Sequence, residues 1–174
     1  MIKLLNMKKL FALITAALMI LPLYAEDAWK ELAFLASVKK INLVIDYSEA
    51  DIVGEDFEDF VQGEKEWDTY EQEIRSIFVR AFNQEANDGD YPHRVGNYED
   101  AKYTLVLKVQ TVTKKGSEIH TKVLVTNQDG KVVFVRDDEW CEKGKYGSVP
   151  NLMGDAMGKM GMELGKKFFF NARF

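Results

Sequence analysis

A two-layer α+β domain is what this 174-residue chain predicts. Three observations carry that prediction. The periodic segments run strand, helix, three strands, helix. The Asp129-Gly130 pair stands between two apolar runs, which is a strong short-range hairpin signal. Glu26 to Phe174 is long enough for one domain with its own core. With one strand before the first helix and a three-strand meander after it, the expected architecture is a four-stranded mixed sheet. Both helices would cover one face of it.

The elements follow in order. Residues 26–38 (EDAWKELAFLASV) read either as a short helix with Trp29, Leu32, Ala33 and Ala36 on one side, or as an arm. A single domain is expected over 39–174. Lys40 to Asp46 alternates Ile41, Leu43 and Ile45 against Asn42 and Asp46, the period-two signature of a strand. Tyr47 to Gly63 is acidic and irregular, punctuated by Gly54 and Gly63. From Glu64 to Ala86, Trp67, Tyr70, Ile74, Ile77, Phe78, Ala81 and Phe82 recur every three or four residues, predicting an amphipathic helix. Tyr91 to Asp100 reads as loop.

Strands are expected at Tyr103–Val112, Ile119–Thr126 and Lys131–Asp137, joined by turns at Lys114–Ser117 and Asn127–Gly130. Tyr103, Leu105, Leu107 and Val109 share one face of the first; Ile119, Thr121, Val123 and Val125 share one face of the second. Glu139 to Pro150 reads as loop and Asn151 to Phe170 as the last helix. That helix carries Gly154, Gly158, Gly161 and Gly165 on one stripe. Each costs a helix about 1 kcal/mol relative to alanine. Close packing against the sheet or against the Trp67 helix is the expected compensation.

The chain opens with a leader-like segment. Lys3, Lys8 and Lys9 precede an apolar run from Leu10 to Leu23, and no acid occurs before Glu26. A basic start, a short apolar stretch and a small residue at Ala25 predict a signal peptide over 1–25 and a periplasmic or secreted mature protein. The run is shorter than the roughly 20 residues that a membrane span needs, so no stable span is expected. Removing the leader's three lysines takes Lys+Arg from 23 to 20 against 28 acids, a net charge of −8. Such a balance argues against nucleic acid as a partner. Cys141 is the only cysteine, so no intrachain disulfide is possible.

Catalytic and metal signatures are not found. The two histidines, His93 and His120, lie in separate segments with no HExxH and no cysteine partner nearby. No metal site, no cofactor and no catalytic residue is assigned. Glu49, Asp51, Glu55, Asp56, Glu58 and Asp59 form an acidic loop, but the DxDxDG calcium pattern is absent, and solvated acids are the simpler reading. Cys141 reads as a structural thiol. Gly144 to Ser148 lacks the full GxxxxGK[ST] pattern and reads as a loop that caps a helix.

The remaining feature is the other face of the sheet. Alternation places Asn42, Val44, Thr104, Val106, Lys108, Gln110, His120, Lys122, Leu124 and Thr126 there. A freely solvated antiparallel face should be polar throughout. Val44, Val106 and Leu124 break that rule. Either strands simply tolerate such residues, or the Trp29 segment covers them, or they belong to a partner surface made by Val44, Val106, Lys108, His120, Lys122 and Leu124.

The element order and glycine-bearing last helix resemble small exported α+β domains of Gram-negative envelopes, among them the lipopolysaccharide-assembly lipoprotein of the outer-membrane translocon. Ile41 to Phe60 (INLVIDYSEADIVGEDFEDF) and Tyr103 to Val112 (YTLVLKVQTV) resemble an uncharacterised family of exported envelope proteins. The resemblance implies a periplasmic accessory role. It does not extend to a lipid anchor, because no cysteine stands near Ala25. The expected function is therefore an exported envelope accessory protein that binds an envelope protein or a glycan through the sheet face. The alternatives are a carboxylate-dependent hydrolase of envelope material, using the loop from Asp46 to Asp59, and a purely structural subunit.

Overall fold

The computed structural model describes residues 28–86 and 93–171. The leader expected over 1–25 and the loop residues 87–92 lie outside the described residues. The chain is α+β, built on one mixed sheet of seven strands rather than four. Its strands are β1 (Lys40–Asp46), β2 (Asp51–Ile52), β3 (Glu55–Asp56), β4 (Arg94–Gly96), β5 (Tyr103–Thr113), β6 (Glu118–Asn127) and β7 (Val132–Glu142). The helices are α1 (Phe57–Gly63), α2 (Trp67–Ala86) and α3 (Val149–Asn171), preceded by a 3₁₀ helix over Ala28–Leu35. The three additional strands have two or three residues each, too short for a period-two pattern to register.

β5 is the hub. Its whole length pairs antiparallel with β6, which pairs antiparallel with β7. Its other edge pairs in parallel with β1 at residues 104–108 and with β2 at 111–112. β4 lies parallel to β1 on β1's outer side. Because β4 stops at Gly96, helix α2 completes this edge. Arg75 Nη2 donates to Leu43 O at 2.6 Å. Asn83 meets both backbone groups of buried Val95, donating to its O at 3.0 Å and accepting from its N at 2.8 Å. The side-chain amide thus substitutes for a missing strand and leaves no orphan pair.

One continuous core lies between the sheet and the helices. Leu43, Leu105, Leu107, Val123, Val125 and Phe134 meet Ile74, Phe78 and Phe82 of α2 and Met153, Met157, Met160, Leu164 and Phe168 of α3. The 3₁₀ helix is part of this core: Leu32 and Leu35 are wholly buried, and the Trp29 ring stands 5.2 Å from Phe134 and 6.2 Å from Phe168. A second aromatic group, Tyr47, Phe57, Phe60 and Trp67, closes the end where β1 turns into the β2–β3 hairpin.

The glycine stripe is what lets α2 and α3 touch along their backbones. A Cβ added at Gly161 would stand 2.6 Å from Phe78 O, and one at Gly165 would stand 2.6 Å from Phe82 O. At Gly158 and Gly154 the nearest atoms belong to the Ile77 side chain, at 2.9 and 3.2 Å. Of the two compensations that the sequence left open, packing on the Trp67 helix is the one observed.

Candidate functional site

The candidate site is the sheet face away from α2 and α3. Cross-strand register sorts its residues into rungs, since paired residues point to the same side. Asn42, Thr104 and Thr126 form one rung. The next is wholly apolar: Val44 pairs with Val106, Val106 with Leu124, and Leu124 with Val135. Then come Asp46, Lys108 and Lys122. Register brings the predicted Val44, Val106 and Leu124 together and adds Val135, which the sequence hid within the unbroken run Val132–Val135.

The middle of the apolar rung is closed to water, while Val44 and Val135 at its ends are half-buried. Val106 is 4% exposed and Leu124 is fully buried. Both nonetheless stand outside the continuous core cluster that the helices share. The Trp29 segment is not their cover, because Trp29 packs on Phe134 and Phe168 in the core layer. Lys108 and Lys122, one rung along, are only 17% and 21% exposed, so their aliphatic stems lie low beside the row while their heads reach acids. Lys108 pairs with Glu49 and Lys122 with Asp137, each at 2.7 Å. A shallow hollow of about 360 Å³ opens there, lined by Glu49, Lys108, Val109, Gln110 and Lys122.

Further along, two irregularities reshape the face. A bulge in β5 between Val109 and Thr111 takes Gln110 out of register and sets Thr111 opposite His120. On β7 the pairing jumps from Val123–Arg136 to Thr121–Glu139, so Asp137 and Asp138 stand against Lys122 alone. Asp138 has φ 56°, a left-handed conformation uncommon outside glycine. Bulges of this kind re-aim side chains and recur at functional sites.

His120 is the hub of the resulting cluster. Its Nδ1 lies 2.8 Å from Asp138 Oδ1 and its Nε2 3.2 Å from Glu118 Oε1. Glu118 also accepts from Thr113 Oγ1 at 3.0 Å and pairs with Lys114 at 2.7 Å, and Lys114 reaches Glu142 at 2.8 Å. The carboxylate at Asp138 raises the His120 pKa, opposed by partial burial and helped by Glu118. Hydrogen bonds from Lys114, His120 and Thr113 hold Glu118 down at about 2. Trp140, 54% exposed, lies nearly parallel to the His120 ring at 6.1 Å. The sequence signal for Trp140 was its alternation with Cys141, hidden because Glu139–Pro150 read as loop.

The acidic loop folds around a shallow hollow of about 380 Å³ lined by Ser48, Glu49, Ala50, Asp51, Asp56, Phe57 and Glu58. Asp46 Oδ1 accepts from Ser48 N, Asp51 Oδ1 from Gly54 N, and Asp56 Oδ1 from Asp59 N. Three of its carboxylates therefore hold a turn, a hairpin and a helix N-terminus. Among the described residues no group of three or more His, Cys, Asp or Glu side chains is placed to hold a metal ion. His93, expected in an open loop, is 1% exposed. Its Nδ1 faces Val38 O at 2.6 Å, so that nitrogen carries the hydrogen and Nε2 is left a buried acceptor with no partner among the described residues. Burial pushes its pKa down. Cys141 is buried beside Glu163, and its thiol is pushed up to about 12 by desolvation first and the Glu163 charge second. It is a packed thiol and not a nucleophile.

Fold and face together define an α+β domain with one sheet face given to the helical core and the other bearing an apolar rung beside a charged rim. Among the described residues no helix is long and apolar enough to cross a membrane. No family model and no curated protein matches the chain. A crystal structure of a Xanthomonas campestris protein of the family DUF330 aligns with 87% of this chain and 93% of its own, at 15% identity and a TM-score of 0.39. A likeness that slight carries no argument about function.

Proposed function

We propose that this is an exported envelope accessory protein that binds a protein or polymer partner through the sheet face opposite its helices. The observation that carries the reading is the rung Val44–Val106–Leu124–Val135. It sets four aliphatic side chains in a line on the face that the helical core does not use. A sheet with one solvated face alternates apolar inward and polar outward; Val106 and Leu124 are already closed to water, so the half-buried ends Val44 and Val135 are what a partner would contact. Lys108, Lys122 and His120 at the rim, each paired with an acid, suit a partner that arrives with its own charges and exchanges those pairs. An aliphatic row favours a protein over a glycan, since sugars are held mainly by aromatic rings and polar groups. The hydrolase alternative would rest on the hollow lined by Glu49, Asp51, Asp56 and Glu58, of which Asp51 and Asp56 are engaged in local backbone contacts.

A photo-crosslinking residue placed at Val135, which is half-buried at the end of the rung, tests this in native envelope. Crosslinks are expected from position 135 and not from Lys166, exposed on α3. Crosslinks from 166 alone, or from neither position, overturn the proposal.

A further inference from the structure

We propose that His120 is a proton-operated latch: in its charged form it ties the left-handed Asp137–Asp138 bulge of β7 to Glu118 of β6, and loss of the proton frees that bulge. Both ring nitrogens face carboxylate oxygens, Nδ1 at Asp138 and Nε2 at Glu118. Ionised carboxylates only accept hydrogen bonds, so both contacts are satisfied only when both nitrogens carry hydrogen. Neutral imidazole has one donor, and its other nitrogen would turn a lone pair toward a negative oxygen.

The surrounding groups decide which contact fails. Glu118 is sheltered, 17% exposed, and is further bonded by Lys114 and Thr113. Asp138 is 72% exposed, and the ring is its one side-chain partner among the described residues. It also sits at φ 56°, which a non-glycine residue holds only against a conformational cost. When the proton leaves, the ring keeps its bond to Glu118 and Asp138 swings into water.

The charged groups around the ring are Glu118 from β6, Asp138 from β7, Lys114 from the β5–β6 turn acting through Glu118, and Glu142 acting through Lys114. Asp137, on the same bulge, is held separately by Lys122. The acids that touch the ring outnumber its cationic neighbours, consistent with a pKa raised above the ordinary imidazole range. The consequence is a rim that is ordered in acid and loosens as pH rises, on the same face as the apolar rung. The latch is a property of the chain alone and needs no partner to be seen.

NMR titration of the full mature chain between about pH 5 and pH 8, the window of imidazole chemistry, tests it. The His120 midpoint is expected above the ordinary value of about 6.5. Amide exchange at Asp138, Glu139 and Trp140, corrected for base catalysis, is expected to rise several-fold through that same midpoint. Asp138→Asn should lower the midpoint, and His120→Gln should leave fast exchange at every pH. Both side chains are partly solvent-exposed, so these variants fold. A His120 midpoint at or below 6.5 overturns the latch. So does exchange at 138–140 that ignores the His120 midpoint, or that keeps its pH dependence in His120→Gln.

Discussion

Replacing Gly161 with alanine adds one methyl group where two helix backbones meet. The new Cβ would stand 2.6 Å from Phe78 O, with Phe78 C and Ala81 Cβ both at 3.3 Å. An ordinary C···O contact is about 3.3–3.6 Å, so the helices must part by roughly 0.7 Å at this crossing. The yielding atom is a backbone carbonyl inside α2, which cannot rotate away. Overpacking of this kind costs about 1–3 kcal/mol, and alanine returns about 1 kcal/mol of helix propensity. A net loss of up to about 2 kcal/mol is expected for Gly161→Ala, and the same for Gly165→Ala, which meets Phe82 O at 2.6 Å. Gly154→Ala is the control on the same stripe. Its nearest neighbour is the terminal methyl of Ile77 at 3.2 Å, which can turn aside, so propensity should win and the variant should be neutral or more stable. Gly158→Ala, 2.9 Å from the branched Cγ2 of Ile77, should fall between. Urea unfolding with a shared m-value reads all four. If Gly161→Ala equals or exceeds the parent, or if Gly154→Ala loses as much, then close backbone approach is not why the glycines are there.

Asn83→Ala should cost at least about 2 kcal/mol, because it strands the buried N–H and C=O of Val95, each worth about 1–3 kcal/mol when unmet. The Val95 amide should lose hydrogen-exchange protection out of proportion to its neighbours. Val53→Asn should raise stability by about 1 kcal/mol: Val53 and Gly54 form a two-residue hairpin loop with φ of 58° and 90°, where Asn-Gly is preferred and a β-branched residue is strained. A melting temperature unchanged or lowered would refute that. His93 binds protons more readily unfolded than buried, so its contribution is complete above about pH 6.5 and is lost as pH falls below that toward its lowered folded value. His120 has the opposite sign, adding stability in acid that disappears as pH rises through its raised folded value. Stability measured against pH for His93→Gln and for His120→Gln should therefore change slope in opposite senses.

The long elements were legible because each buries a face of fixed period. Leu105, Leu107 and Val109 on β5, and Ile74, Phe78 and Phe82 on α2, are core residues that the alternation and the three-to-four spacing had already named. The turn at Asn127 was legible for a local reason: its side chain accepts from Asp129 N and Lys131 N within the same loop. What failed was non-local. β2 and β4 exist because β5 and β1 offer free edges, β3 folds back on β2, and two or three residues carry no period of their own. The acidic loop read as one feature, yet Asp46, Asp51 and Asp56 act separately on the nearest backbone N–H groups while Glu49 pairs with Lys108 of β5.

For the candidate site the division is similar. Alternation alone put Val44, Val106, Lys108, His120, Lys122 and Leu124 on one face, since side-chain direction in a strand depends only on parity. The order along that face was beyond it. Register, set by pairing between distant segments, lined Val135 up with Leu124, and the two bulges shifted parity at Gln110 and at Asp137–Asp138. The sequence by itself determined the α+β class, the long strands and helices, and which faces are apolar, because these follow from periodicity within a segment. Tertiary structure alone decided that the glycines face α2, that Val106 and Leu124 are buried, and that His120 stands between two carboxylates. Each of those is a contact between residues far apart in the chain, and no local pattern encodes a distance between segments.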